Sequence, residues 1–202
     1  MKLIAEGAEA KIYSTQVKGL DCVLKERIKK NYRLAIIDER LRKLRTRHEA
    51  TLLAKASRVG VNVPKIIEAQ HSENTLCIEE IKGIKVRDYL LEFGPKICEL
   101  IGKQIGKLHS ADITHGDLTT SNMIFTGDKV FVIDFGLGQV SKRLEDKAVD
   151  IHLLKECFRS KHYDIWKESW DLFKTGYLSL CADAVFEQLK KVEARGRYKK
   201  LG

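Results

Sequence analysis

The chain has 202 residues, 44% of them hydrophobic and 32% charged, a globular balance that excludes a disordered or fibrous polypeptide and allows one domain or two small lobes sharing a cleft. No run approaches the roughly 20 apolar residues of a transmembrane helix, and the opening MKLIAEGAEA is too poor in apolar residues for a signal peptide, so a cytoplasmic protein without membrane contact is expected. The formal net charge of +9 fits either a polyanionic partner such as nucleic acid or a merely solubilising surface. Five scattered cysteines, Cys22, Cys77, Cys98, Cys157 and Cys181, form no C-x-x-C pair, which points to reduced thiols rather than a zinc site or a disulfide framework.

Three short β-type runs open the chain, KLIA, AKIYST and DCVLKER, separated by Gly7 and by VKGLD; they predict antiparallel strands joined by tight turns. DERLRKLRTRHEATLLAKASRVG follows, with Leu41, Leu44, Leu52, Leu53 and Ala56 at roughly helical spacing and with Gly60 and Pro64 to stop the helix. KIIEAQ and TLCIEE, around the turn HSEN, predict two more strands. From Gly83 the character turns helical. KVRDYLLEFG and PKICELIGKQIGKLHSA are helices, the second with Pro95 at a favourable N-terminal position. The hairpin MIFTGDKVFVID interrupts, and three helices rich in Leu, Phe and Trp complete the chain from Leu144 to Arg195.

Between those helices lies HGDLTTSN, from His115 to Asn122, and twelve residues after Asn122 comes DFG, starting at Asp134. A carboxylate, an amide oxygen and a second carboxylate are hard oxygen ligands suited to Mg²⁺. Phosphoryl transfer needs such a set: one Asp to position the nucleophile, an Asn and another Asp to hold metal against the phosphates of ATP. The spacing reproduces the protein-kinase signature H-R-D-L-x-x-x-N followed by D-F-G, with Gly116 in place of Arg. Asp117 is therefore the catalytic candidate, and Asn122 and Asp134 are the metal candidates. Lys25, on the third strand, matches the strand lysine that meets the phosphates. Its helix glutamate is Glu49, which shares a face with Leu53; Glu39, the other candidate, is expected in the first turn, where an acid serves the helix dipole. EGAEAKIY offers Glu6, Gly7, Ala8, Glu9 and Ala10 as a phosphate-covering loop, but with one glycine, which implies a loose grip on ATP. The backbone of Glu79 and Ile81 is positioned for the adenine.

These elements define an α+β class: a compact two-lobed protein-kinase-like fold with a β-rich N-lobe over residues 1–80 and a reduced helical C-lobe over 81–202, hinged at 81–83. Thr119 stands where an ordinary kinase has its catalytic-loop lysine, so one phosphate-stabilising charge is absent. No A-P-E follows Asp134, which leaves no activation loop to phosphorylate. Asp150 is placed to tether the catalytic loop or to serve its own helix's dipole.

EGAEAKIY, RTRHEA, GVNVP, IEEIKG, HGDLTTSNM, IDFGL and RGRYKK together resemble the family of the small atypical kinase subunit of the KEOPS complex, the PRPK or piD-type protein kinases, nearly end to end. The resemblance implies a cytoplasmic, Mg²⁺- and ATP-dependent Ser/Thr protein kinase or ATPase. It also implies binding to the threonylcarbamoyl-adenosine synthase subunit and other KEOPS subunits, in support of modifying adenosine 37 of tRNAs that decode ANN codons. Two other readings stand beside it: a small-molecule phosphotransferase of the aminoglycoside- or choline-kinase kind, and a non-catalytic scaffold for RNA and protein. The basic tail KKVEARGRYKKLG is expected to leave the helix after Ala194. It would grip tRNA phosphates through Arg195, Arg197, Lys199 and Lys200, with Tyr198 free to stack, unless it is only a solvated end or the basic helix from Arg40 to Arg47 does that work instead.

Overall fold

The computed structural model describes residues 1–7, 9–17, 19–70 and 74–198, the side chains of residues 70 and 196–198 excepted. Strands β1 (Lys2–Glu6), β2 (Ala10–Val17), β3 (Leu20–Arg27), β4 (Ile66–Gln70) and β5 (Thr75–Glu79) form one antiparallel sheet in the order β1-β2-β3-β5-β4. β3 is the central strand, with Lys25 opposite Ile12 on one side and Leu76 on the other. The two-residue period of a strand puts Lys25 and Arg27 on one face, and both are buried.

Helix α1 (Ala35–Arg58) follows β3 in the chain and, from its midpoint on, buries Thr46, Glu49, Ala50, Leu52, Leu53 and Ala56. It starts three residues earlier than its sequence suggests. Asp38 becomes the buried acid of the first turn, paired with Arg42 at 2.7 Å and accepting the Lys30 N–H at 3.2 Å. Glu39 is therefore not a first-turn residue; its carboxylate lies outside, bonded to Lys43. Leu44, expected in the apolar stripe, is half exposed for the same reason: the first half of α1 carries a polar and basic surface.

Past β5 the chain crosses to β6 (Ile84–Lys85) and α2 (Val86–Phe93). Gly83 sits against the hairpin of β8 (Met123–Phe125) and β9 (Val130–Val132), so close that a Cβ there would lie 2.3 Å from the Phe125 carbonyl. Helices α3 (Cys98–Ser110) and α5 (Trp166–Leu178) approach backbone to backbone. A Cβ on Gly102 would meet the Phe173 carbonyl at 2.1 Å, and one on Gly176 the Glu99 carbonyl at 2.0 Å. Around that crossing Ile101, Ile105, Leu108, Phe173 and Tyr177 are fully buried. Helix α4 (Leu144–Lys161) contributes Ile151, Leu154 and Phe158 to the same core, and α6 (Ala184–Tyr198) packs along α4. The helix continues through Gly196 to Tyr198, and Arg195 pairs with Glu145 at 2.5 Å, so the expected departure after Ala194 is corrected. Lys199 and Lys200 lie outside the described residues, as does the side chain of Arg197.

The pairs β6–β8 and β7–β10, where β7 is Ile113–Thr114 and β10 is Gln139–Val140, are two residues long. No periodicity reveals strands that short. Cys22, Cys77, Cys98, Cys157 and Cys181 are all free thiols.

Candidate active site

Lys25 leaves the central strand and meets two carboxylates, Glu49 Oε1 at 2.7 Å and Asp134 Oδ1 at 2.6 Å. Burial works to lower the Lys25 pKa, but the charges of Glu49 and Asp134 outweigh it and hold the ammonium above its usual range. The Asp134 carboxyl is likewise pushed up by partial burial and pulled down further by Lys25 and the Gly136 N–H, so it lies below the ordinary aspartate range. Both groups are thus charged at neutral pH. Asp134 does not end a strand, as its sequence suggests. It lies beyond β9 in a left-handed conformation, φ 63°, which Asp tolerates better than most residues. That turn aims the carboxylate at Lys25, while Phe135 is fully buried beside the His115 ring.

The catalytic loop is fixed from below. Asp150, on α4 and well past its first turn, accepts the N–H groups of His115 at 2.5 Å and Gly116 at 2.8 Å, and sits 3.3 Å from His109 Nε2. Of its two expected roles, the tether is the one its hydrogen bonds serve. His115 Nδ1 accepts the Asp117 N–H at 3.3 Å, and its Nε2 donates to the Ile133 carbonyl at 2.9 Å, so the ring ties the loop to the segment leading into Asp134. Gly116 has φ 79°, and a Cβ there would lie 2.1 Å from the Leu137 carbonyl. The position of the usual kinase arginine is closed to any side chain. Asn122 donates Nδ2 to the Asp117 carbonyl and to Asp117 Oδ2, both at 2.9 Å, which leaves its Oδ1 as the atom a cation would meet.

Two contiguous parts of one open cleft join these residues. The inner part has a cavity volume of about 370 Å³ and is lined by Val23, Ile78, Ile124 and Ile133 together with Glu79, Ile81, Asn122 and Asp134. It is an apolar slot with polar groups at one end. The Glu79 N–H is already bonded to the Lys65 carbonyl at 2.8 Å, so it is not open to a ligand. The outer part is walled by Glu6, Gly7, Glu9 and Ala10 on one side and by Asp117 and Asp134 on the other. Gly7 donates its N–H to the Ala10 carbonyl at 3.0 Å, closing a turn. Glu6 pairs with Lys11 at 3.6 Å, whereas Glu9 pairs with Arg45, which holds its carboxyl below the usual range. Ala8 lies outside the described residues.

One residue escaped the sequence reading. Arg27, buried next to Lys25 on β3, donates Nη2 to Glu49 Oε2 at 2.6 Å and lies 3.6 Å from Glu9. The K-x-R alternation on a strand was the available signal. Among the described residues no group of three or more His, Cys, Asp or Glu side chains is arranged to hold a metal. Mg²⁺ does not require one: it binds through one or two protein oxygens plus substrate phosphates, and Asn122 Oδ1 with Asp134 fits that donor set.

A β-rich lobe and a helical lobe around a cleft that holds a strand lysine, a helix glutamate and an Asp–Asn–Asp set define a protein-kinase-like class. The fold of the Rio2 kinase–ADP/Mg²⁺–phosphoaspartate complex from Chaetomium thermophilum superposes with a TM-score of 0.67 at 15% identity, over 98% of this chain and 72% of that one. WaaP, in complex with acyl carrier protein, gives a TM-score of 0.69 at 14% identity, over 98% and 86%. Residues 6–168 match the RIO domain, and the chain belongs to the RIO-domain family. It is 41% identical to the KEOPS complex subunit Bud32 of Pyrococcus abyssi, over 98% of this chain and 97% of that protein. It is also 40% identical to a probable bifunctional tRNA threonylcarbamoyladenosine biosynthesis protein of Methanothermobacter thermautotrophicus, matching 97% of this chain and 36% of that longer one. Family and fold together support phosphotransferase or ATPase chemistry. No described helix is long and apolar enough to cross a membrane.

Proposed function

We propose that the chain is the ATP- and Mg²⁺-dependent subunit of a KEOPS-type assembly, a Ser/Thr protein kinase with ATPase activity. In this reading it works in the cytoplasm beside the threonylcarbamoyl-adenosine synthase subunit and supports threonylcarbamoylation of adenosine 37 in tRNAs decoding ANN codons. The observation that carries the reading is the Lys25 ammonium bridging Glu49 and Asp134 in the cleft. A kinase site needs this pair assembled before it can act.

Residues 1–80 would serve as the N-lobe and 81–202 as the C-lobe, with 81–83 as the hinge. The Glu79 carbonyl and Ile81 N–H would meet the adenine, and the backbone of residues 6–10 with Lys25 would hold the phosphates. Glu49 orients Lys25. Asn122 and Asp134 would hold Mg²⁺, which neutralises charge on the phosphates when bound. Asp117 accepts the proton of the attacking hydroxyl or water as the γ-phosphoryl group passes to that oxygen and ADP leaves. Asn122 keeps Asp117 aimed outward through the two 2.9 Å bonds. tRNA would be met by the basic end of α6 and the residues after it, Arg195, Arg197, Lys199 and Lys200.

The test follows γ-labelled ATP with the chain alone and with the synthase partner. Label on Ser or Thr identifies kinase output, and free phosphate identifies ATPase output. Absence of both in the presence of the partner would leave the scaffold and small-molecule phosphotransferase readings.

A further inference from the structure

Thr119 leaves the phosphate end of the cleft without the cation that an ordinary catalytic loop supplies. Two cations line that end, Lys25 and Arg27. Lys25 spends two of its three N–H donors on Glu49 and Asp134. Arg27 has more to spare. Its Nη2 is spent on Glu49 at 2.6 Å, but Nη1 stands 3.6 Å from Glu9, beyond hydrogen-bond reach, and a guanidinium carries five N–H donors. Glu9 is satisfied without it, through Arg45.

The head of Arg27 is also well placed. The point where a Cβ on Gly136 would sit is 3.1 Å from Asp134 Oδ1, 3.4 Å from Arg27 Nη2 and 3.8 Å from Glu49 Oε2. The guanidinium thus borders the metal-ligand carboxylate across a gap that only a glycine leaves open. It is held rigid, 5% exposed, so little side-chain entropy remains to be lost on contact.

We infer that Arg27 recognises the terminal phosphate of ATP, supplying from the sheet the positive charge that Thr119 withholds from the catalytic loop. The inference rests on the ATP-site reading above. As the bond from Pγ to the ADP oxygen breaks and the bond to the acceptor oxygen forms, the acceptor's proton goes to Asp117. The transferred group's oxygens keep their negative charge throughout. A planar guanidinium donating two N–H groups matches those oxygens, as a lysine cannot.

The experiment titrates full-length wild type, Arg27→Gln and Arg27→Lys with Mg²⁺–ADP and with a non-hydrolysable Mg²⁺–ATP analogue, by calorimetry, alongside single-turnover rates. Loss of a charge-assisted contact predicts that Arg27→Gln weakens the ATP analogue by about tenfold to a hundredfold. ADP affinity should hold within about twofold, and Arg27→Lys should fall between. If circular dichroism finds the Gln variant unfolded, the ATP-to-ADP affinity ratio of the Lys variant decides alone. Equal losses for both nucleotides would reduce Arg27 to a brace for Glu49 and overturn the inference, as would no change in either. A wild-type chain that binds neither nucleotide would instead overturn the ATP-site reading, and this one with it.

Discussion

Gly116 is the sharpest test of how backbone geometry, rather than side-chain chemistry, shapes the catalytic loop. It holds φ 79°, its N–H is bonded to Asp150 Oδ1, and the Leu137 carbonyl carbon and oxygen lie 2.7 and 2.1 Å from the position a Cβ would take. Gly116→Ala therefore carries two penalties. A left-handed non-glycine residue costs about 1–2 kcal/mol, and forcing backbone apart in a packed region costs about 1–3 kcal/mol more. Together these make about 2–5 kcal/mol, a large share of the roughly 5–15 kcal/mol a domain has. The Tm should fall by about 4–20 °C at the 2–4 °C per kcal/mol expected for this size. The strain also acts on the next residue, Asp117, so turnover should drop further than stability alone explains. Gly116→Arg, which restores the ordinary kinase motif letter for letter, should be no better. Chemical denaturation and turnover below the melting range measure both effects. Either variant lying within about 0.5 kcal/mol of wild type, with normal turnover, would refute the reasoning.

Three further outcomes follow from the site. Asp134→Asn should take Mg²⁺-dependent phosphate release to background with an unchanged circular dichroism spectrum, because Asn also tolerates the left-handed turn. Since the Asp134 carboxyl titrates below its unfolded value, its contribution is present above about pH 4 and lost as pH falls through the lower folded pKa. The stability gap between wild type and this variant should thus stay level from about pH 5 to 8; a gap that closes between pH 5 and 6 would contradict the ion pair. Asp117→Asn should cost about 10²–10⁴ in rate with calorimetric nucleotide affinity intact, and a variant with normal rate but weak nucleotide binding would exchange its role with that of Asn122. Deleting residues 195–202 should lower the salt slope of tRNA binding in the assembled complex by roughly 2 if three cations meet phosphate; identical slopes would move the contact to the basic helix from Arg40 to Arg47.

What the sequence made legible was chemistry at fixed spacing. Asp117, Asn122 and Asp134 stand out because hard oxygen ligands recur around a hairpin, and Lys25 and Glu49 follow from strand and helix periodicity. The start of α1 was illegible for a definite reason: its N-cap is Leu34, with no side-chain cap bond, so capping chemistry pointed onward to Asp38. That acid is buried inside the helix, where two arginines offset the cost of burying it. Arg27 was hard to read because a strand arginine is ordinarily solvated; the K-x-R alternation puts it on the face of Lys25, and its burial against Glu49 marks it out. Gly116 read as a missing arginine, and the obstruction by Leu137 is a contact between residues far apart in the motif, which no local pattern encodes.

The segment after Asp134 explains why the site is assembled without a switch. An ordinary kinase orders this stretch by phosphorylation, through new arginine contacts. Here residues 135–143 separate Asp134 from α4, and they are pinned along their length. Phe135 is fully buried. The Gly138 carbonyl receives His48 Nε2 at 2.8 Å, from the same helix that carries Glu49. Gln139 and Val140 pair with Thr114 and Ile113, just ahead of the catalytic loop, and Ser141 donates its N–H to Asp112 at 2.7 Å. One short segment thus ties α1 to the catalytic loop, and the Lys25–Glu49 pair forms within that frame. With the pair already closed, regulation by loop phosphorylation has nothing left to order.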